Sequence, residues 1–352
     1  MRSLTVAFAA SLWLFGQAPI APGRPVAALS PYIDVHAHLD FDTLDASVEA
    51  ARQARQARQA RQARQARQAM TSENAVRVIF LPPPFTSDDA SRYDSEQIAA
   101  ALENSRAAFA FLGGGGTLNP MIQEAAQSGR VTADVTRAFT DRAEQILRQG
   151  AVGFGEMTAE HFAGGTPYQY APADHPLFLL LADISARHGV PIDLHMEAVP
   201  RAMKLPADLK SPPNPIDLHE NIPAFERLLA HNPRAAIVWA HAGSDNTGYR
   251  TPDLCRVLLR AHANLYMQIK VDPANPGKNY PLDAVSGALK PEWRRLFQDF
   301  PDRFLIGTDQ HYPMPAAGLQ RWQAAVLLLN QLPAGIREQI AAGNARKIYR
   351  FE

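Results

Sequence analysis

Two histidines one residue apart, His36 and His38, end the short apolar run Tyr32-Ile33-Asp34-Val35. In an extended chain residues i and i+2 point to one face, so the two imidazoles leave side by side and can hold one metal ion. Taken alone, such a pair could simply cap a strand. It gains weight because later apolar runs end the same way. Glu156 closes Ala151-Val152-Gly153-Phe154-Gly155, His195 closes Val190-Pro191-Ile192-Asp193-Leu194, His241 closes the run 235–240, and Asp309 closes Phe304-Leu305-Ile306-Gly307-Thr308. Four imidazoles and two carboxylates form the mixed nitrogen and oxygen set that suits Zn²⁺, or Mn²⁺, Fe²⁺ or Co²⁺. Six ligands exceed one open tetrahedral site and suffice for two ions, with a carboxylate such as Glu156 shared. For any one of these residues the plainer explanation is a solvated strand end, and for Glu156 that explanation weighs equally.

Something must bring these ends together. Counting from Ile33, eight apolar runs alternate with helical stretches. The remaining strands are expected at Val76–Leu81, Phe109–Leu112 and Leu265–Lys270, and helices at Ser95–Ser105, Thr132–Gln149, Pro176–His188, Ile222–Ala230, Asp253–Ala261 and Pro291–Phe300. Such alternation points to parallel strands joined by helices. Eight units in about 300 residues predict an α/β fold, a closed (β/α)₈ TIM barrel, whose strands all present their C-terminal ends at one mouth. A doubly wound open sheet is the runner-up, but it wants a glycine-rich phosphate turn after its first strand, and none is present. Gly113 to Gly116 follow the third strand without the lysine and hydroxyl of a phosphate loop and read as a flexible turn.

The 352 residues are 46% hydrophobic and 20% charged, an ordinary globular composition. Zero formal net charge gives no reason to expect a nucleic-acid partner. The single cysteine, Cys255, excludes an intramolecular disulfide and reads as a buried small hydrophobe. Arg2, the apolar run Leu4 to Phe15 and small residues up to Ala28 read as a secretory signal over 1–28, too short to anchor stably in a bilayer. The chain is therefore expected to be exported, periplasmic or secreted, with the barrel occupying 29–352. Ala-Arg-Gln repeats six times from Ala51 to Gln68. A period of three winds around a 3.6-residue helix, so the arginines line no single side. The triplets read as a solvated helix extension inserted in the barrel, and their six arginines leave the rest of the chain near −6.

The other histidines mark a contrast. His188, His231 and His262 sit near the ends of helices, where an imidazole favours the negative end of the dipole. His161, His175, His219 and His311 are expected in loops, with His311 close enough to Asp309 to reach a substrate.

The order of H-x-H, Glu, His, His and Asp at strand ends resembles the amidohydrolase superfamily of metal-dependent TIM-barrel hydrolases. The similarity is carried by Asp34-Val35-His36-Ala37-His38, Gly153-Phe154-Gly155-Glu156, Ile306-Gly307-Thr308-Asp309 and Gly343-Asn344-Ala345-Arg346-Lys347-Ile348-Tyr349, and spans about Tyr32 to Phe351. Many members of that family carry a carboxylated lysine at the fourth strand. Glu156 stands there in this chain, so one or two metals remain open. The resemblance implies a metal-activated water acting on an amide, ester, lactone or phosphoester bond of a small-molecule substrate, with zinc the first candidate. Asp309 would take the water's proton, and His241 would bind the second metal or stabilise the developing oxyanion. A related branch implies a metal-dependent decarboxylase as the alternative. A non-catalytic metal-binding barrel would not need Asp309 beside a full ligand set.

Removing 51–68 takes out eighteen residues, five whole helical turns, and should leave activity nearly unchanged. Loss of folding or activity on that deletion would show that the arm packs or binds something.

Overall fold

The computed structural model describes residues 31–40, 45–53, 77–164, 167–312 and 318–351. Eight parallel strands form the centre: β1 Asp34–Leu39, β2 Val78–Phe80, β3 in two pieces Phe109–Phe111 and Gly113–Gly114, β4 Phe154–His161, β5 Ile192–Met196, β6 Ile237–Ala242, β7 Leu265–Ile269 and β8 Phe304–Ile306. Hydrogen bonding runs from the first piece of β3 through β2, β1, β8, β7, β6, β5 and β4 to the second piece of β3. The two pieces are separated by Leu112 alone. Leu112 N–H donates to Phe80 at 2.8 Å, and Val152 N–H donates to Phe111 at 2.9 Å. The sheet therefore closes on itself as the expected (β/α)₈ barrel.

Helices clothe the outside. The predicted helix starts are visible as caps. Thr132 accepts from Val135 N–H ahead of Ala133–Arg148, and Thr251 accepts from Leu254 N–H ahead of Pro252–Ala261. Proline opens Pro176–His188, Pro252–Ala261 and Pro291–Asp299, where its missing donor costs nothing. The Pro176–His188 helix ends on Gly189 in the left-handed conformation. Among the helices not anticipated is Leu118–Ser128, whose Asn-Pro start was hidden behind the glycine run. The large apolar cluster lies between strands and helices, with Phe109, Phe154, Trp239 and Phe304 buried in it. A second cluster joins Val35, Ile79, Leu112, Val238 and Leu305 with Ile348 and Tyr349 of the last helix, Asn344–Tyr349.

The glycine stretch 113–116 is not a flexible turn. Gly113 and Gly114 are strand residues, and a Cβ on Gly115 or Gly116 would stand 2.4 Å from the Pro82 carbonyl oxygen or 1.8 Å from that of Tyr93. These glycines let backbones pass in contact. The expected secretory signal, 1–28, and most of the Ala-Arg-Gln repeat lie outside the described residues. The first triplet is helical within 45–53: Ala51 is buried in the core, whereas Arg52 and Gln53 are exposed and bond to Glu49. Deleting 51–68 leaves Ala69 to take the place of Ala51. Among the described residues no helix is long and apolar enough to cross a membrane.

Gly116→Ala should cost about 3 kcal/mol or abolish soluble protein, because its methyl would meet fixed backbone. Gly335→Ala, with nothing within 4 Å of the added carbon, should stay within about 0.5 kcal/mol of the parent. Denaturant unfolding of the two variants side by side checks the contrast.

Candidate active site

Strand periodicity alone does not aim the six donors inward. In β1, Asp34 and Ala37 face Val78 and Phe80 of β2, so three residues are spanned against two. The same slip occurs in β4, where Phe154 and Met157 face Ile192 and Leu194, and in β6, where Trp239 and Ala242 face Met267 and Ile269. Each bulge adds one residue and re-aims a side chain. His36, Glu156 and His241 lie inside these three slips. Two further residues adopt left-handed backbone at the mouth, His241 with φ 64° and Asp309 with φ 54°. A non-glycine residue held there stores strain, typical of functional positions. Asp34 fastens the adjoining ends of β1 and β8, its carboxylate accepting from Thr308 N–H at 2.9 Å and from Thr308 Oγ1 at 2.5 Å.

The result brings all six predicted residues together. His36 Nε2 lies 3.2 Å from His38 Nε2, and His38 Nε2 lies 3.1 Å from Asp309 Oδ1. Glu156 Oε2 is 3.5 Å from His36 Nε2 and 3.6 Å from His38 Nε2. Its other oxygen, Oε1, is 2.9 Å from His195 Nδ1 and 3.3 Å from His241 Nε2. Glu156 is thus the centre of the cluster, with one oxygen toward each histidine pair.

The donor set fits a divalent transition metal. His38 Nδ1–H donates to the Leu81 carbonyl at 2.9 Å, and His36 Nδ1 faces Asp193 at 3.4 Å. Both outer nitrogens thereby have an acceptor for their proton, which leaves both Nε2 lone pairs directed at one point. Two lone pairs 3.2 Å apart repel unless a cation lies between them. Ligands of a tetrahedral ion with bonds of ~2.0–2.1 Å stand about 3.3 Å from one another; His36, His38 and Asp309 are 3.1 to 3.7 Å apart, and Glu156 lies 3.5 and 3.6 Å from His36 and His38. Electrostatics agree. Burial opposes charge on Glu156, but His36, His195 and His241 hold its carboxyl well below the usual range. Burial likewise opposes the charge of Asp309, which Lys270 and then His241 hold low. Burial lowers His36, yet Asp193 and Glu156 outweigh it and raise it well above an ordinary histidine. His195 is raised to about 9 against burial by Glu156 and Glu197. Burial keeps His241 well below the ordinary value. The cluster draws positive charge inward; without a metal that charge falls on His36 and His195.

Two histidines lie elsewhere than expected. His161 is the last residue of β4 rather than a loop residue, and its ring sits 4.5 Å from that of His195. His311 belongs to the short strand Gln310–Tyr312, which pairs with β1, and its ring lies 4.7 Å from that of His38. Pairing with β1 gives this segment backbone partners that a bare loop would lack. His188 and His231 are structural, bonding Glu144 at 3.0 Å and Asp183 at 3.1 Å. Sequence reading missed Lys270, Asp193 and Glu197. Lys270 follows β7 as His241 ends β6, and Asp193 precedes His195 by two residues. Position was therefore the available signal, but a lysine is not a usual ligand and an aspartate inside a strand reads as packing. A cavity of about 600 Å³, open to solvent, rises above the cluster and is lined by His161, Phe162, Glu197, Asn246 and Lys270 beside His195, His241 and Asp309.

A family model described as Amidohydrolase matches residues 33–351. The chain belongs to the amidohydrolase family. The family is metal-dependent, and the candidate ligands of this amidohydrolase include the groups His36, His38, Asp309 and His36, Glu156, His241. No curated protein sequence matches it. Similar solved structures include a probable 2-pyrone-4,6-dicarboxylic acid hydrolase from Acinetobacter baumannii with citric acid bound, at 11% identity and TM-score 0.48, over 91% of this chain and 100% of that one. A dihydroxybenzoic acid decarboxylase from a Polaromonas species, with manganese and 2-nitroresorcinol bound, is 14% identical with TM-score 0.47 over 92% and 97% of the two chains. A dihydroorotase from Campylobacter jejuni is 15% identical with TM-score 0.44 over 92% and 84%.

Elemental analysis of the purified amidohydrolase should find roughly one to two equivalents of transition metal, and the His36→Ala, His38→Ala double variant should lose most of it. A metal-free wild type with full activity would overturn the assignment of these residues.

Proposed function

We propose that this amidohydrolase is a metal-dependent hydrolase that cleaves an amide, ester, lactone or phosphoester bond of a small molecule at the barrel mouth. The observation that carries the reading is the division of Glu156, whose two oxygens face two different histidine pairs. His36, His38, Asp309 and one oxygen of Glu156 would hold one ion; His195, His241 and the other oxygen would hold a second. Zinc is the first candidate, with manganese, iron or cobalt as alternatives. A divalent metal held there supplies a water of near-neutral pKa and polarises the substrate's carbonyl or phosphoryl oxygen. Asp309 is the general base: it is charged, it borders the cavity, and it can take a proton from water and hand it to the leaving group. In the alternative role, standing beside the second ion rather than binding it, His241 would steady negative charge developing on the substrate oxygen. The barrel floor keeps bulk water from below, since Val35, Leu112, Val238 and Leu305 fill it. From Arg2 and the run Leu4 to Phe15 we also propose that the enzyme acts after export.

A substrate panel scored for both hydrolysis and carbon dioxide release tests the reaction class; carbon dioxide release without hydrolysis would replace the proposal with a decarboxylase. On the substrate so found, Asp309→Asn should keep its metal and lose roughly 10² to 10⁴ in turnover, the range for loss of a general base. Glu156→Gln should instead lower metal occupancy, with activity following what remains. Wild-type turnover in Asp309→Asn would move the base elsewhere, and a full metal complement in Glu156→Gln would remove the shared-ligand role.

A further inference from the structure

Asp309 is gripped from three sides, and only one of its carboxylate oxygens faces the imidazoles. Oδ1 lies 3.1 Å from His38 Nε2. Oδ2 accepts from Lys270 Nζ at 2.6 Å, and both side chains are mostly shielded, at 13% and 17% exposure. The Lys270 backbone is itself fixed, its N–H donating to Ala242 at 2.9 Å just past the bulge of β6. At the main chain, Asp309 N–H donates to the His36 carbonyl at 2.9 Å, and the Asp309 carbonyl accepts from Arg321 Nη1. Arg321 in turn pairs with the buried Asp272 at 2.7 Å. The backbone contacts set where Asp309 stands in its left-handed conformation. They do not set the rotation of its carboxylate, whose outer oxygen is held, among the described residues, by the Lys270 ammonium.

We propose that Lys270 is a positioning residue that occupies Oδ2 of Asp309 and so limits that carboxylate to one ligand oxygen, Oδ1, toward the His36 and His38 pair. This rests on the metal-binding reading given under the proposed function. A carboxylate binds a cation through one oxygen or two, and geometry at the ion follows the choice. With its outer oxygen held by an ammonium, Asp309 presents one. With that oxygen released, both can turn to the ion, the coordination number rises, and the open position needed by water and substrate is taken up. The fixed charge beside Oδ2 also gives a role to the lysine that follows β7, between His241 in β6 and Asp309 beyond β8.

The test uses Co²⁺ as the probe, titrated into metal-depleted full-length protein and followed by visible absorption, whose intensity falls as coordination rises from four toward six. Wild type, Lys270→Met, Lys270→Arg and Lys270→Gln are compared. Lys270→Met and Lys270→Gln should take up Co²⁺ but lose band intensity, whereas Lys270→Arg, which restores a cationic donor, should return to the wild-type spectrum. Lys270→Gln keeps the comparison alive if methionine prevents folding. Neutral variants with the wild-type spectrum would overturn the proposal. So would an equal loss in Lys270→Arg, which would show that shape rather than charge matters at this position. Failure of the wild type to take up Co²⁺ would instead strike the metal-binding reading itself, and the wild-type arm separates that failure from the others.

Discussion

A carboxylate that is 3% exposed at the centre of a protein cannot stand uncompensated, and Glu156 sets that condition for the whole barrel mouth. Burial of an isolated charge costs more than any one hydrogen bond returns. Four imidazoles ring it, two on each oxygen, a setting in which a bound cation would compensate the charge. Two of their outer nitrogens are committed in turn: His38 to the Leu81 carbonyl and His36 to Asp193, which accepts from Gln268. Gly307 lies against Gln268, where a Cβ would be 2.5 Å from Oε1. The arrangement extends from one carboxylate through two shells to the backbone, which is how a protein holds ligands in place without relying on loops.

The barrel supplies the ring by departing from regularity. Parallel strands with a strict two-residue period would carry donors and core residues on fixed alternate faces. Extra residues in β1, β4 and β6 break that alternation just where His36, Glu156 and His241 must turn inward. Below the bulges the strands keep their register, and Val238 and Leu305 fill the interior. Chemistry is thus confined to the upper rim and packing to the lower part, so the rim can store strain at His241 and Asp309 while the packed floor holds the frame.

The eight-strand order was legible because apolar runs alternated with helical stretches, five of the runs ending in histidine or acid, and because proline, threonine and glycine punctuated the helices. The six donors were legible for the same reason. What the sequence could not display was anything requiring distance between segments. The bulges depend on partner strands. The close backbone crossing at Gly115 and Gly116 depends on Pro82 and Tyr93, more than twenty residues away in sequence, so the glycines read as a mobile turn. His161 looked like a loop residue because a strand that continues past its register shift has no clean periodic signature, and His311 because its strand, Gln310–Tyr312, is too short to show a period. Lys270 was visible in position but not in purpose, since its meaning lies in Asp309 on the adjoining strand.

The central claim is that Glu156 sits between two metal positions and serves both. Crystals grown with Mn²⁺ or Co²⁺ and measured at the metal's absorption edge test it directly. The account predicts two anomalous peaks, one among His36, His38 and Asp309 and one beside His195 and His241, with Glu156 between them. A single peak that does not touch Glu156, or none within reach of these side chains, would contradict it.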